Sequence, residues 1–186
     1  MSTVPAGATD PLHADARAAL GSWQGYDADQ ERLRGRYLLH LEEHADALRR
    51  TCFPAHLTAS TLVVNAARDS VLLTLHAKAG AWFQLGGHCE PGDTTLAGAA
   101  LREATEESGL AGLALEPGPV QLDAHDVGFC HPDGTVAHFD VRYVAVAPAG
   151  AEHAVSAESL DVRWWPVDAL PTEEPNLHAL VRRACG

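Results

Sequence analysis

The sequence predicts an α+β fold in layered αβα form, and three observations predict it. Its elements read in the order helix, strands, helix, strands, helix, which a simple βαβ repeat would not give. Strand candidates alternate apolar and polar residues, and helix candidates return apolar residues every three or four positions. With 186 residues, 46% of them apolar, one domain with a sizeable core and a small appendage is expected.

Met1 to about Asp10, rich in Ala, Gly, Pro and Thr, is expected to fray. A short helix through Ala14 to Trp23 precedes a long one from Ala28 to Arg50. In the latter, Leu33, Tyr37, Leu41 and Leu48 form an apolar stripe that His40 and His44 join, and Gly35 weakens it slightly. After Pro54, Leu57 to Asn65 and Val71 to His76 read as a hairpin, and Ala81 to Gly86 as a third strand. The loop Gly86 to Asp93 holds three glycines and a proline, suited to turns and to close approach of backbone to a ligand. Thr94 or Thr95 then supplies an N-cap for a helix from Leu96 to Glu107, and Gly109 stops it. Val120 to Phe129 and Ala137 to Ala147 read as strands turning at Pro132-Asp133-Gly134. Asp161 to Val167 is a further strand, and Glu173 to Ala184 a closing amphipathic helix.

Thirteen basic residues against 25 acidic ones give a net charge of −12, which disfavours binding to a nucleic-acid polymer. An acidic protein that handles phosphates needs a metal to do it. Lys78 is the only lysine, so no Walker-type loop ending in Gly-Lys-Ser/Thr exists. Cys52, Cys89, Cys130 and Cys185 are widely spaced, which fits reduced thiols and a cytoplasmic location. No run reaches membrane-spanning length, so no membrane partner is expected.

Chemistry concentrates on the helix after the Gly-rich loop. Glu103, Glu106 and Glu107 lie three and four apart on one face, with Leu96, Ala100, Leu101 and Ala104 on the packing side. Arg102 alone cannot neutralise three carboxylates, whereas Mg²⁺ takes a few carboxylates and completes its octahedron with waters and phosphate oxygens. A solvated acidic face is the plain alternative. The strands add polar faces: Trp82, Gln84, Gly86 and His88 on one, Asp123 with His125 on another, and His138, Asp140 and Arg142 on a third. These are candidate substrate contacts. His125 and His138 could also pair on a second metal, although imidazoles suit zinc better than magnesium. A competing motif is His40-Leu41-Glu42-Glu43-His44, the His-x-x-Glu-His pattern of an inverted zinc protease, with His40, Glu43 and His44 in the reacting roles. Both histidines sit in the apolar stripe, where packing explains them.

The complete string is more specific. Arg102-Glu103-Ala104-Thr105-Glu106-Glu107-Ser108-Gly109-Leu110 matches the second half of the Nudix box position by position, and Gly87 opens its first half. The chain thus resembles a Nudix hydrolase. One departure is a one-residue insertion: Asp93 stands at the offset of the first glutamate, but Arg102 comes one residue late, so either Asp93 or Thr94 fills that place. Val162-Arg163-Trp164-Trp165-Pro166-Val167 and Leu170-Pro171 look like the family's closing strand. The resemblance implies an α/β/α sandwich with a mixed sheet over residues 53–186, preceded by a helical extension over 1–52. It also implies Mg²⁺-dependent hydrolysis, with Mn²⁺ as substitute, of a nucleoside diphosphate linked to another moiety. Glu103, Glu106 and Glu107 would bind metal, Glu103 would orient or deprotonate water, the Gly86 carbonyl would be a further ligand, and Arg102 would hold the glutamates. Glu158 is the candidate for an acid from a distal loop. A nucleotide-sensing module without turnover is the alternative. The N-terminal helix could pair two subunits into a homodimer, cap the cleft or merely pack.

Overall fold

Strand β1 (Ala55–Val64) is buried along all ten residues, and the computed structural model, which describes residues 10–154 and 159–186, is arranged around it. Its alternation of apolar and small polar residues suits a strand covered on both faces. Strand β7 (Gly134–Val146) runs parallel to it for its whole length, from Ala55 opposite Ala137 to Val64 opposite Val146. The other edge of β1 is shared. Strand β4 (Leu85–His88) pairs antiparallel with Thr58 to Thr61, and β2 (Ser70–His76) only with Val63 and Val64. Strand β2 then diverges to pair with β3 (Ala81–Phe83) and β8 (Ser159–Pro166). Beyond β7 lie β5 (Ala114–Leu115) and β6 (Gln121–His131), both antiparallel to it. The result is one forked, mixed, eight-stranded sheet.

Helices cover both faces, as the layered expectation requires. Helices α1 (Pro11–Ser22), α2 (Ala28–Glu43) and the first part of α3 (Leu96–Ser108) close over Leu57, Ala59, Phe139, Val141 and Tyr143. Helix α4 (Pro175–Cys185) closes over Leu62, Val64, Val71, Leu73 and Val144 on the opposite face. Each fully buried leucine stabilises this packing by about 1.5–3 kcal/mol relative to exposure. Among the described residues no helix is long and apolar enough to cross a membrane.

Three expectations change in detail. Helix α2 stops at Glu43 rather than Arg50, because His44 turns extended and successive turns carry the chain to β1, tied by the Leu57 amide to the Ala47 carbonyl. Leu48 is still buried, through those turns. The strand expected over Ala81 to Gly86 divides at Gln84, where the chain leaves β2 for β1. The hairpin after Pro54 holds only at its tip, since β4 takes the rest of the β1 edge.

The N-terminal helices do more than cover apolar surface. The Leu122 amide donates to Gln30 Oε1 at 2.7 Å, and Gln30 Nε2 donates to the Leu122 carbonyl at 2.9 Å. Tyr37 adds a hydroxyl on the Asp123 carbonyl at 2.7 Å. Backbone groups on the outer side of β6 are thereby satisfied, which blunts a sheet edge.

Candidate active site

Helix α3 is positioned at both ends. Thr95 is the N-cap, its hydroxyl accepting from the Gly98 amide at 2.9 Å, so Thr95 and not Thr94 takes that role. The Leu96 amide donates to Asp15 Oδ2 at 2.8 Å, a carboxylate from α1 placed at the positive end of the helix. Gly109, at φ 66°, ends the helix in the left-handed conformation. Leu96, Ala99, Ala100 and Ala104 are buried, which turns the glutamates toward the edge of the sheet.

Arg102 is the hub of that edge. Its Nε and Nη2 bind both oxygens of Asp93 at 3.1 and 3.0 Å, and Nη2 also reaches the His88 carbonyl. Its Nη1 donates to Glu103 Oε1 and Glu106 Oε2, each at 3.0 Å. Hydrogen bonding to Asp93 leads the causes that raise the guanidinium above its ordinary range. Burial pushes the Asp93 carboxyl up, but bonds from Arg102 and the Glu90 amide outweigh it and leave it lowered. Asp93 is therefore the acid that clamps the arginine, and the extra residue of the loop falls between Asp93 and the helix.

The two glycines of β4 are explained by what lies against them. A Cβ on Gly87 would stand 2.9 Å from the Glu103 carboxylate, so a side chain there would push that group off the backbone on which it rests. A Cβ on Gly86 would meet Ser60 at 2.3 Å, and the Gly86 amide donates to Glu107 Oε2 at 3.1 Å. Carboxylates and backbone carbonyls are hard oxygen donors, and one guanidinium is divided among Asp93, Glu103 and Glu106. That donor set fits a small divalent cation such as Mg²⁺. Glu158 lies outside the described residues.

The remaining predicted residues share the sheet face that continues past α4, arranged in cross-strand rows. His125, His138 and His56 form one row; Asp123, Asp140, Thr58 and His88 the next; Gln121, Arg142, Ser60 and Gly86 the third. Arg142 is buried, with Nε on Asp140 at 3.0 Å, Nη1 on Gln121 at 2.9 Å and Nη2 on Asp123 at 2.8 Å. Asp140 also accepts from Thr58, Ser60 and Gln84, and Asp123 from Asn176 of α4. Asp140 and Arg142 thus brace three strands and a helix, and present no open side to a ligand. Trp82 packs edge-on against Trp165 and against the α4 core. Gln84 donates to Ser60 and Asp140 but leaves its buried Oε1 without a partner. His125, 46% exposed, bonds Asp123 at 2.8 Å, which raises its imidazole pKa.

His88 and His138 converge on residues the sequence reading did not connect, His56 and Cys130. Burial pushes the His88 imidazole down to about 4 and His138 to about 3, with neighbouring imidazoles adding to both, and it lowers His56 as well. The alternation of His56, Thr58 and Ser60 along β1 was the available signal; Asp15, 81 residues from its partner Leu96, offered none. His40 packs edge-on against Phe139 in the core, and His44 lies within ligand distance of Asp46 and Cys52. The rings of His40 and His44 do lie 4.5 Å apart between centroids, but among the described residues Glu43 joins no ligand cluster with them.

Comparison with known proteins identifies the domain. The NUDIX domain matches residues 54–184. A hydrolase of that family from Clostridium perfringens is 27% identical, with a TM-score of 0.58 over 70% of this chain and 95% of its own. The E. coli dihydroneopterin triphosphate pyrophosphohydrolase, 16% identical, superposes with a TM-score of 0.59 over 69% of this chain and 94% of its own. A C. elegans Ap4A hydrolase, 17% identical, gives 0.55 over 68% and 93%; these two likenesses carry the fold alone. No curated protein sequence matches significantly. With the family's domain matched over residues 54–184, the chain belongs to the Nudix family of hydrolases.

Proposed function

We propose that the protein is a Mg²⁺-dependent pyrophosphohydrolase that cleaves a nucleoside diphosphate linked to another moiety by attack of water. One observation carries the reading: Arg102, clamped by Asp93, gathers Glu103 and Glu106 beside the glycines on which Glu103 and Glu107 rest. Residues Glu103, Glu106, Glu107 and the Gly86 carbonyl would hold the metal, with Mn²⁺ able to replace Mg²⁺. When bound, the cation neutralises the pyrophosphate and lowers the pKa of a coordinated water. Glu103, held by Arg102 at one oxygen, would orient or deprotonate the attacking water. A new P–O bond forms, the bridging P–O bond breaks, and the two phosphate products leave without a covalent enzyme intermediate. Of the strand residues, His125 keeps an exposed edge and is the one we assign to the substrate. Residues 1–52 are read as an extension whose helices α1 and α2 brace the domain over 53–186, and four free thiols suit the cytoplasm.

The test is product release with Mg²⁺ over nucleoside triphosphates, sugar nucleotides, dinucleoside polyphosphates and coenzyme A derivatives, beside Glu107→Gln. We expect one class to be cleaved and the variant, still folded, to lose at least about 10²-fold in rate. No turnover of any class, together with a nucleotide-induced rise in melting temperature, would replace the enzyme by a sensing module.

A further inference from the structure

We propose that His56, His88, Cys130 and His138 form a structural Zn²⁺ site, separate from the glutamate site and closed by four protein ligands. One donor atom from each lies within 4.8 Å of the other three. His56 Nε2 and His88 Nε2 are 3.1 Å apart, and Cys130 Sγ lies 3.2 Å from His88 Nε2 and 3.9 Å from His56 Nε2. Zn–N bonds of about 2.0–2.1 Å and Zn–S bonds of about 2.3 Å make tetrahedral edges of roughly 3.3 Å for N to N and 3.6 Å for S to N. The three distances lie within a few tenths of an ångström of those edges.

Two further observations point to a cation rather than to a hydrogen-bonded cluster. Nδ1 of His56 is 3.2 Å from the Cys52 carbonyl. A proton on that nitrogen leaves Nε2 as the lone-pair atom aimed at His88, the outer-partner arrangement that metal-binding histidines use to fix their tautomer. The Nε2 of His138 is buried with no hydrogen-bond partner, a state that costs free energy unless something accepts its lone pair. Three imidazoles and a thiol suit Zn²⁺, while Mg²⁺ prefers oxygen.

The placement argues for a structural role. The ligands come from β1, β4, β6 and β7, so one ion would tie four strands at the same end of the sheet. His88 and Gly87 point to opposite faces of β4, and it is Gly87 that meets Glu103. The zinc would therefore pin the start of the box loop from behind the catalytic edge. Four protein ligands leave no coordination position for water or substrate. Binding balances as Zn²⁺ plus the Cys130 thiol giving the zinc thiolate and one released proton.

The test uses the full chain loaded with zinc and dialysed against excess Mg²⁺, which clears the glutamates. We expect one zinc per chain, also in Glu103→Gln and in Cys52→Ser, the latter removing the neighbouring trio of His44, Asp46 and Cys52. Cobalt in place of zinc should give intense tetrahedral d–d bands and a sulfur-to-cobalt charge-transfer band that Cys130→Ser abolishes. Where that variant folds poorly, alkylation of the wild-type protein decides, with zinc protecting Cys130 and a chelator exposing it. Saturating zinc should raise the melting temperature by roughly 5–10 °C. Retention of less than a tenth of an equivalent of zinc overturns the site, as does an unchanged cobalt spectrum in Cys130→Ser or unprotected Cys130 in the zinc-loaded chain.

Discussion

Two arginines of this chain each sit between carboxylates, and the difference between them separates a closed network from an open one. Arg142, with 5% of its side chain exposed, meets Asp123 and Asp140, and each of those acids is bound again by neutral donors or by His125. Arg102, 21% exposed, meets Asp93, Glu103 and Glu106, and Glu106 is 59% exposed. The first group is buried between strands and α4, and the negative charge that one guanidinium leaves is met by donors from Thr58, Ser60, Gln84, Asn176 and His125. The second is open on one side, and its excess of negative charge is what a divalent cation and a phosphate chain require.

Breaking the sealed group should have the largest effect. Arg142→Leu leaves Asp123 and Asp140 buried without their counter-ion, and such breakage costs about 3–5 kcal/mol. Urea unfolding should show it as a lowered midpoint, with activity lost only because the fold is lost. A loss under about 1 kcal/mol would mean that the network is not sealed in solution. The open group should behave inversely. Glu103→Gln is expected to reduce the metal-dependent rate by at least about 10²-fold while moving stability by less than about 1 kcal/mol. Rate measurements paired with urea midpoints on both variants would test the contrast directly.

The same contrast explains what could be read in the sequence. Glu103, Glu106 and Glu107 act through spacing along one helix, and a local spacing is visible in a string of residues. The Gly-rich loop, the helix and its stop at Gly109 were legible for that reason. The role of Arg142 depends on β6, β7 and α4 meeting, from positions 19 and 34 residues away on either side, and no local pattern carries that. The alternation of β7 did place His138, Asp140 and Arg142 on one face, but a polar face looks the same whether it lines a cleft or closes on itself. Helix α2 was overextended because its apolar stripe continues through Leu48, although the chain carrying it has left the helix.

Acid should sharpen the comparison through the histidines that share a sheet face with Arg142. His88 and His138 take up protons in the folded chain only near about 4 and about 3, against 6.5 when unfolded. Between these values the unfolded state binds more protons, so stability falls as the pH drops from 6.5 toward 4. His125 has the opposite sign, since its raised pKa adds stability below 6.5 that is lost as pH rises through its folded value. His56 is lowered as well, which leaves the acid-destabilising group in the majority. Metal-free protein should therefore show a lower urea midpoint at about pH 5 than at about pH 7, before most carboxylates titrate. His88→Gln should flatten that slope; an unchanged slope would assign it elsewhere.

The smallest expected effect joins the two halves of the chain. Asp15, on α1, accepts the Leu96 amide at the first turn of the box helix, so a residue of the N-terminal extension completes a helix that Thr95 already caps. An amide at a helix start has no partner within the helix, and supplying one with a carboxylate adds the dipole interaction to the hydrogen bond. Asp15→Ala should cost about 1 kcal/mol, seen as a melting temperature lower by about 2–4 °C. Asp15→Asn keeps an acceptor and loses only charge, so it should cost about 0.3–1 kcal/mol. Both variants should leave the rate at saturating metal within about twofold, because the glutamate-bearing face of α3 is held separately by Arg102 and Gly86. A rate loss beyond that in Asp15→Ala, with the fold intact, would show that the extension sets the position of the glutamates as well as the stability of their helix.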